Sequence, residues 1–67
     1  MNKIARYRKF LGYTQADMAK IFNISIQSYS RKERGIVPFA DKEKILFKNM
    51  VSKLFEEITI DDIFFGQ

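Results

Sequence analysis

Cysteine, histidine and tryptophan are all absent from this chain, and proline occurs once. Without cysteine, neither a disulfide framework nor a thiolate metal site can form. Without histidine, imidazole-bound zinc and histidine acid–base catalysis are excluded as well. No apolar run approaches the roughly 20 residues a membrane-spanning helix needs, and no secretory signal is recognisable, so a soluble cytoplasmic protein is expected. Acid pairs such as Asp61/Asp62 are adjacent, so on a helix they diverge, and no nucleophile–base arrangement is present. An enzyme is therefore not expected, nor a metal or other cofactor. Signals for β-strands are nearly absent too.

What remains is a chain of 67 residues, enough for one small domain (1–67) whose core stability is marginal. Its charge is modest, +4, and unevenly placed. Residues 1–34 hold eight Lys/Arg against Asp17 and Glu33, a balance of +6; residues 35–67 hold four Lys against six acids, a balance of −2. Such asymmetry points to a polyanionic partner on one side of the fold, with a solvated helix face as the competing reading.

Helical periodicity organises the rest. Ile4, Tyr7 and Leu11 place a first helix over residues 2 to about 10, ending near Gly12. Thr14 offers an N-cap oxygen with Asp17 at the third helical position, a weak capping box, and Met18, Ile21 and Phe22 supply the apolar stripe of a short second helix. Asn23, tolerant of the left-handed conformation, makes the turn. Ser25 caps a third helix in which Tyr29 points inward and which Gly35 closes; Pro38 keeps the following loop from being helical. A fourth helix starts around Asp41, with Phe47, Met50, Val51 and Leu54 on one face. Leu46 and Phe55 widen that face to about half the circumference. Thr59 with Asp62 starts a final turn through Ile63 and Phe64. The expected fold is all-α, a compact bundle of about five short helices.

Two short helices joined by a tight turn, the second bearing polar residues near its N-terminus, describe a helix-turn-helix over about residues 14–34. In that geometry the second helix lies in a DNA major groove, apolar inside and reaching base edges outside. Tyr29 suits the inner role, and Ile26, Gln27, Ser30, Arg31 and Arg34 fall on or beside the outer face. Ala19, small and mid-helix, lets the third helix cross closely.

The stretch TQADMAKIFNISIQSYSRKERG resembles the helix-turn-helix of the Cro and lambda-repressor-like (Xre-type) regulators of bacteria and phages. The Thr14-Gln15 opening, Ala19, the turn at Asn23, Ser25 and Glu33-x-Gly35 fall at that family's spacing without a gap. The likeness extends upstream to Ile4, Arg8 and Gly12 and downstream to TIDDIFF at 59–65, with residues 36–58 fitting more loosely. Two departures stand out. Asn23 occupies a turn position where members commonly have Gly, and Lys32 one often held by an apolar or aromatic residue.

The resemblance implies a sequence-specific double-stranded DNA-binding regulator, a repressor occupying a pseudo-palindromic operator as a homodimer. Gln27 and Arg31, four apart on one helix face, are the side chains best suited to base reading: Gln pairs bidentately with adenine and Arg with guanine. Ser30 is placed with them. Ile26 is left between a thymine methyl and the second helix. Tyr13, Gln15, Ser25, Ser28, Lys32 and Arg34 are candidate DNA-backbone contacts. Gln15 is also expected to brace the third helix, Ser25 serves equally as a cap, and Arg34 suits the helix dipole. Lys3, Arg6 and Lys9 contribute general positive field. By the same resemblance Arg8 and Glu33 form a partly buried salt bridge tying the first helix to the end of the third.

The C-terminal Ile63–Phe65 either completes the core or makes a dimer contact. The alternative function is an antitoxin-like module that binds a protein partner and also autoregulates its operon. Its support is exposed apolar side chains, with Ile45 and Phe65 as candidates; Ile45 falls on the otherwise polar side of the fourth helix. RNA binding ranks below both, because the aromatic residues mostly occupy core-periodic positions rather than an exposed stacking surface.

Overall fold

The computed structural model describes residues 2–53 and 59–65. The chain is all-helical there: α1 (Lys3–Leu11), α2 (Gln15–Phe22), α3 (Ile26–Glu33), α4 (Asp41–Val51) and a π-helical turn at Asp61–Phe65. Leu54 and Phe55, expected to extend the apolar face of α4, lie outside the described residues, as does the side chain of Phe65. Among the described residues no helix is long and apolar enough to cross a membrane.

The first three helices end in the same way. Gly12 (φ 86°), Asn23 (φ 58°) and Gly35 (φ 83°) each adopt the left-handed conformation. That reversal lets two successive N–H groups return to the last turn: Gly12 and Tyr13 to the carbonyls of Lys9 and Arg8, Asn23 and Ile24 to Lys20 and Ala19, Gly35 and Ile36 to Lys32 and Arg31. Carbonyls that a helix end would otherwise leave unpaired are thereby satisfied. The N-termini are equally explicit. Asn2 Oδ1 accepts from the N–H groups of Ile4 and Ala5 at 2.8 and 3.3 Å. Thr14 and Asp17 form a reciprocal capping box, and Ser25 Oγ accepts from Ser28 N–H at 3.0 Å. At α4 the N-cap is Ala40, and Glu43 compensates by accepting from Ala40 N–H at 2.9 Å. Thr59 and Asp62 close a second reciprocal box ahead of the π turn.

The core is Ile4, Met18, Ala19, Phe22, Tyr29, Phe39, Phe47, Val51 and Ile63, flanked by Tyr7, Leu11, Ile24, Met50 and Phe64. Ile63 and Phe64 thus close the core beside α1 and α4. Phe39, a loop residue, is the hub of the aromatic packing, with its ring centroid 6.1 Å from Phe22, 6.2 Å from Tyr29 and 5.3 Å from Phe64. Edge-to-face pairs at these separations add to the burial energy of each ring. Ile21, from the expected apolar stripe of α2, and Leu46, which widens the apolar face of α4, are outside the core. Each is 38 % exposed, whereas Met18 and Phe22 on α2 and Phe47 and Val51 on α4 are buried.

Candidate nucleic-acid interface

A carboxylate inside the protein fixes α3. Glu33, in the last turn of α3, is buried, and each of its oxygens accepts two hydrogen bonds. Oε2 takes Arg8 Nε at 2.8 Å and the Tyr29 hydroxyl at 2.7 Å. Oε1 takes Gln15 Nε2 at 2.9 Å and Arg8 Nη2 at 3.3 Å. Arg8 also donates from Nη1 to the Tyr13 carbonyl at 2.9 Å, and the Asn2 side-chain amide donates to the backbone carbonyl of Glu33. Burial alone would raise the pKa of Glu33, but the bonds from Arg8, Gln15 and Tyr29 outweigh it and the carboxyl is held below its ordinary value. The hydrogen bond from Arg8 to Glu33 raises the guanidinium's pKa in turn. Burial and the adjacent Glu33 both push the Tyr29 phenol up, so it remains a neutral donor. One residue of α3 is thereby tied to α1, to the start of α2 and to its own preceding turn.

The opposite side of α3 is open. At about 100° per residue, Gln27, Arg31 and Arg34 form a stripe roughly 180° from Tyr29 and Glu33, and all three are exposed. Arg34 is steered along the helix by its Nε bond to the Ser30 carbonyl, 3.3 Å. Ile26 is half exposed at the helix start, on the side of Tyr29 and Glu33 and about 100° from Gln27. Ser28 and Ser30 are half-buried on the two flanks. The hydroxyl oxygen of Ser25 is used in capping, and exposed Tyr13 stands just before the N-terminus of α2. Gln15 gives one amide N–H to Glu33; a primary amide has a second to offer.

Lys32 is placed differently from its expected role as a DNA-backbone contact. Its ammonium lies 2.6 Å from Glu43 Oε1, with side chains only 16 and 12 % exposed. It faces α4, about 60° from the inward Tyr29 direction, and joins α3 to the same carboxylate that caps α4. The physical reason is that Glu43 turns back to the N-terminus of α4, as Asp17 does at α2, and Lys32 on α3 meets its carboxylate there.

No family model, curated protein or solved structure matches the chain.

Among the residues that matter here, sequence reasoning missed Asn2, Phe39 and Glu43. Asn2 stands one residue before the first helical period, where an N-cap belongs, and that signal was readable. Phe39 and Glu43 act through tertiary contacts that no local period encodes.

Proposed function

We infer that the protein is a sequence-specific double-stranded DNA-binding regulator, with α3 and Arg34 entering the major groove. The observation that carries this is the contrast across α3: a saturated buried carboxylate on one side and an exposed Gln27–Arg31–Arg34 stripe on the other. A helix meant only to be solvated has no need of four hydrogen bonds on one inward carboxylate. A helix that must present side chains to base edges does need that rigidity. The cationic bias of residues 1–34 supplies the sequence-independent attraction to phosphates. Gln27 and Arg31 are assigned to bases and Ser30 and Ile26 to the same groove, whereas Gln15, Ser25, Ser28, Tyr13 and Arg34 are assigned to the DNA backbone. Lys32 is left out, since its charge is taken by Glu43. Repression is the mode proposed, because excluding polymerase from a promoter requires nothing beyond occupancy. Two-fold pairing places two copies of α3 in successive major grooves, about 34–36 Å apart.

The test is selection of randomised duplexes on the purified protein, followed by titration of the winner against salt. A two-fold-symmetric consensus is expected, with Gln27→Ala and Arg31→Ala each weakening it by about 1–3 kcal/mol and relaxing a different base position. Binding that yields no consensus, depends only on salt and ignores both substitutions would refute the reading.

A further inference from the structure

Two consecutive residues hold the last turn of α3 on its two flanks. At about 100° per residue, Glu33 points about 40° to one side of the inward Tyr29 and Lys32 about 60° to the other. Glu33 is bonded to Arg8 of α1 and Gln15 of α2, so on its flank α3 is fixed to the first two helices. On the other flank Lys32 Nζ donates to Glu43 Oε1 at 2.6 Å. That contact is the one side-chain hydrogen bond or ion pair joining α3 to α4 among the described residues. The same Oε1 accepts from Ala40 N–H at 2.9 Å, so Glu43 is itself anchored to the start of α4. Tyr29 lies between the flanks as the pivot, and roll of α3 about its axis is resisted by Glu33 on one side and Lys32 on the other. Across the axis, Gln27 and Arg31 each lie about 160° from Tyr29, one to either side. A helix is about 10–12 Å across with its side chains, so a roll of about 15° carries a surface tip by about 1.5 Å.

We propose that Glu43 is a positioning residue of the DNA-binding surface, an inference that rests on the DNA-binding reading: through Lys32 it fixes the roll of α3 and so aims Gln27 and Arg31 at base edges. Glu43 touches no DNA itself. Side chains that must meet a ligand in one geometry have to be held within about 0.5 Å and 10–20°, and releasing one flank of α3 permits a roll that exceeds the distance. The loss falls on discrimination before general affinity. Bidentate pairs with bases demand exact placement, whereas phosphate contacts carry no sequence information and long cationic side chains follow a small displacement.

The experiment measures the ratio of affinities for the selected operator and for a duplex changed at the base pairs that Gln27→Ala and Arg31→Ala relax. Titrations are made at several salt concentrations and well below each variant's melting temperature. Lys32→Met removes the ammonium and leaves the Glu43 bond to Ala40 N–H; Glu43→Gln keeps Oε1 for that bond and removes the charge. Each is expected to lower the ratio by about fivefold to tenfold, and the double variant to lower it no further. Lys32→Arg, which keeps the pair, is expected to retain the wild-type ratio. The salt slope of Lys32→Met is expected to match that of the wild type, because an ammonium paired within the protein releases no counterions from DNA. Three results overturn the proposal: ratios that stay at the wild-type value, whatever happens to the melting temperature; a slope flattened by roughly one unit in Lys32→Met with all duplexes weakened alike, which would make Lys32 a phosphate contact; or losses that add in the double variant, which would show the two residues acting separately. A wild type that selects no operator would end this inference together with the DNA-binding reading, whereas a wild type that selects one and gives any of those three results ends this inference alone.

Discussion

Glu33 is a carboxylate in a place where burial opposes its charge and four donated bonds restore it. Removing one side of such a pair costs about 3–5 kcal/mol, because the remaining charge stays buried. A domain of this length has a total stability of only about 3–10 kcal/mol. Arg8→Ala is therefore expected to bring the protein close to unfolding at room temperature, while any folded fraction keeps its base preference, since Gln27 and Arg31 are untouched. Urea denaturation together with competition binding on variant operators separates the two effects; an unchanged midpoint with lost specificity would contradict the structural assignment of Arg8. Acid behaviour follows from the same site. The folded-state pKa of Glu33 lies below its ordinary 4.5, so its contribution is fully present above that value and is lost as pH falls through the folded pKa. Wild-type midpoints are thus expected to drop on acidification from about pH 4.5, whereas Glu33→Gln, weaker at neutral pH, shows a shallower drop. Parallel acid profiles for the two proteins would remove Glu33 from this role. Tyr29→Phe deletes one of the four donors and is expected to cost about 1 kcal/mol.

Among the elements, the sequence was most informative at helix ends. Gly12, Asn23 and Gly35 were readable as stops, and Thr14, Ser25 and Thr59 as starts, because left-handed backbone and side-chain caps need particular residue types locally. Asn23 tests this directly. Its left-handed backbone (φ 58°) is one that Gly adopts freely and a β-branched residue resists. Asn23→Gly is expected to change stability by less than about 1 kcal/mol, and Asn23→Val to lower it by about 1–2 kcal/mol; equal midpoints for the two would mean the turn relaxes around the side chain. Tertiary selection was less legible. Periodicity placed Ile21 and Leu46 on apolar faces, but it cannot say how far a neighbouring helix reaches, and both lie outside the core. Phe39 belongs to no helix and had no period to betray it, although it contacts three other rings. Lys32 reads as an outward cation in the sequence because its partner, Glu43, lies on another helix, where it accepts from Ala40 N–H. The candidate DNA-facing stripe was legible for the opposite reason: an exposed face is fixed by one helix's period and does not depend on a neighbour.

For the whole molecule the governing facts are small size and divided charge. The Cα extents are only 30 × 23 × 21 Å, and the single α3 of one copy can enter only one of two major grooves spaced about 34–36 Å apart. On the proposed DNA-binding reading a single α3 offers only a few side chains to bases, and each good bidentate pair supplies roughly 1–3 kcal/mol of discrimination. On that reading, specific occupancy calls for two copies on one face of the duplex. If they bind as a pair, their spacing is set by protein contacts and cannot follow an arbitrary change in the DNA. Inserting about five base pairs between the half-sites rotates one by roughly half a turn and moves it about 17 Å along the axis. Affinity for the lengthened operator is then expected to fall to that of an isolated half-site, and its salt dependence to lose roughly half its slope, because only one copy's phosphate contacts remain. Quantitative gel-shift titrations of the intact, lengthened and half-site duplexes at several salt concentrations measure both quantities. Equal affinity for the intact and lengthened duplexes would show that the copies bind independently, and the dimeric operator would have to be given up while base reading by α3 could stand.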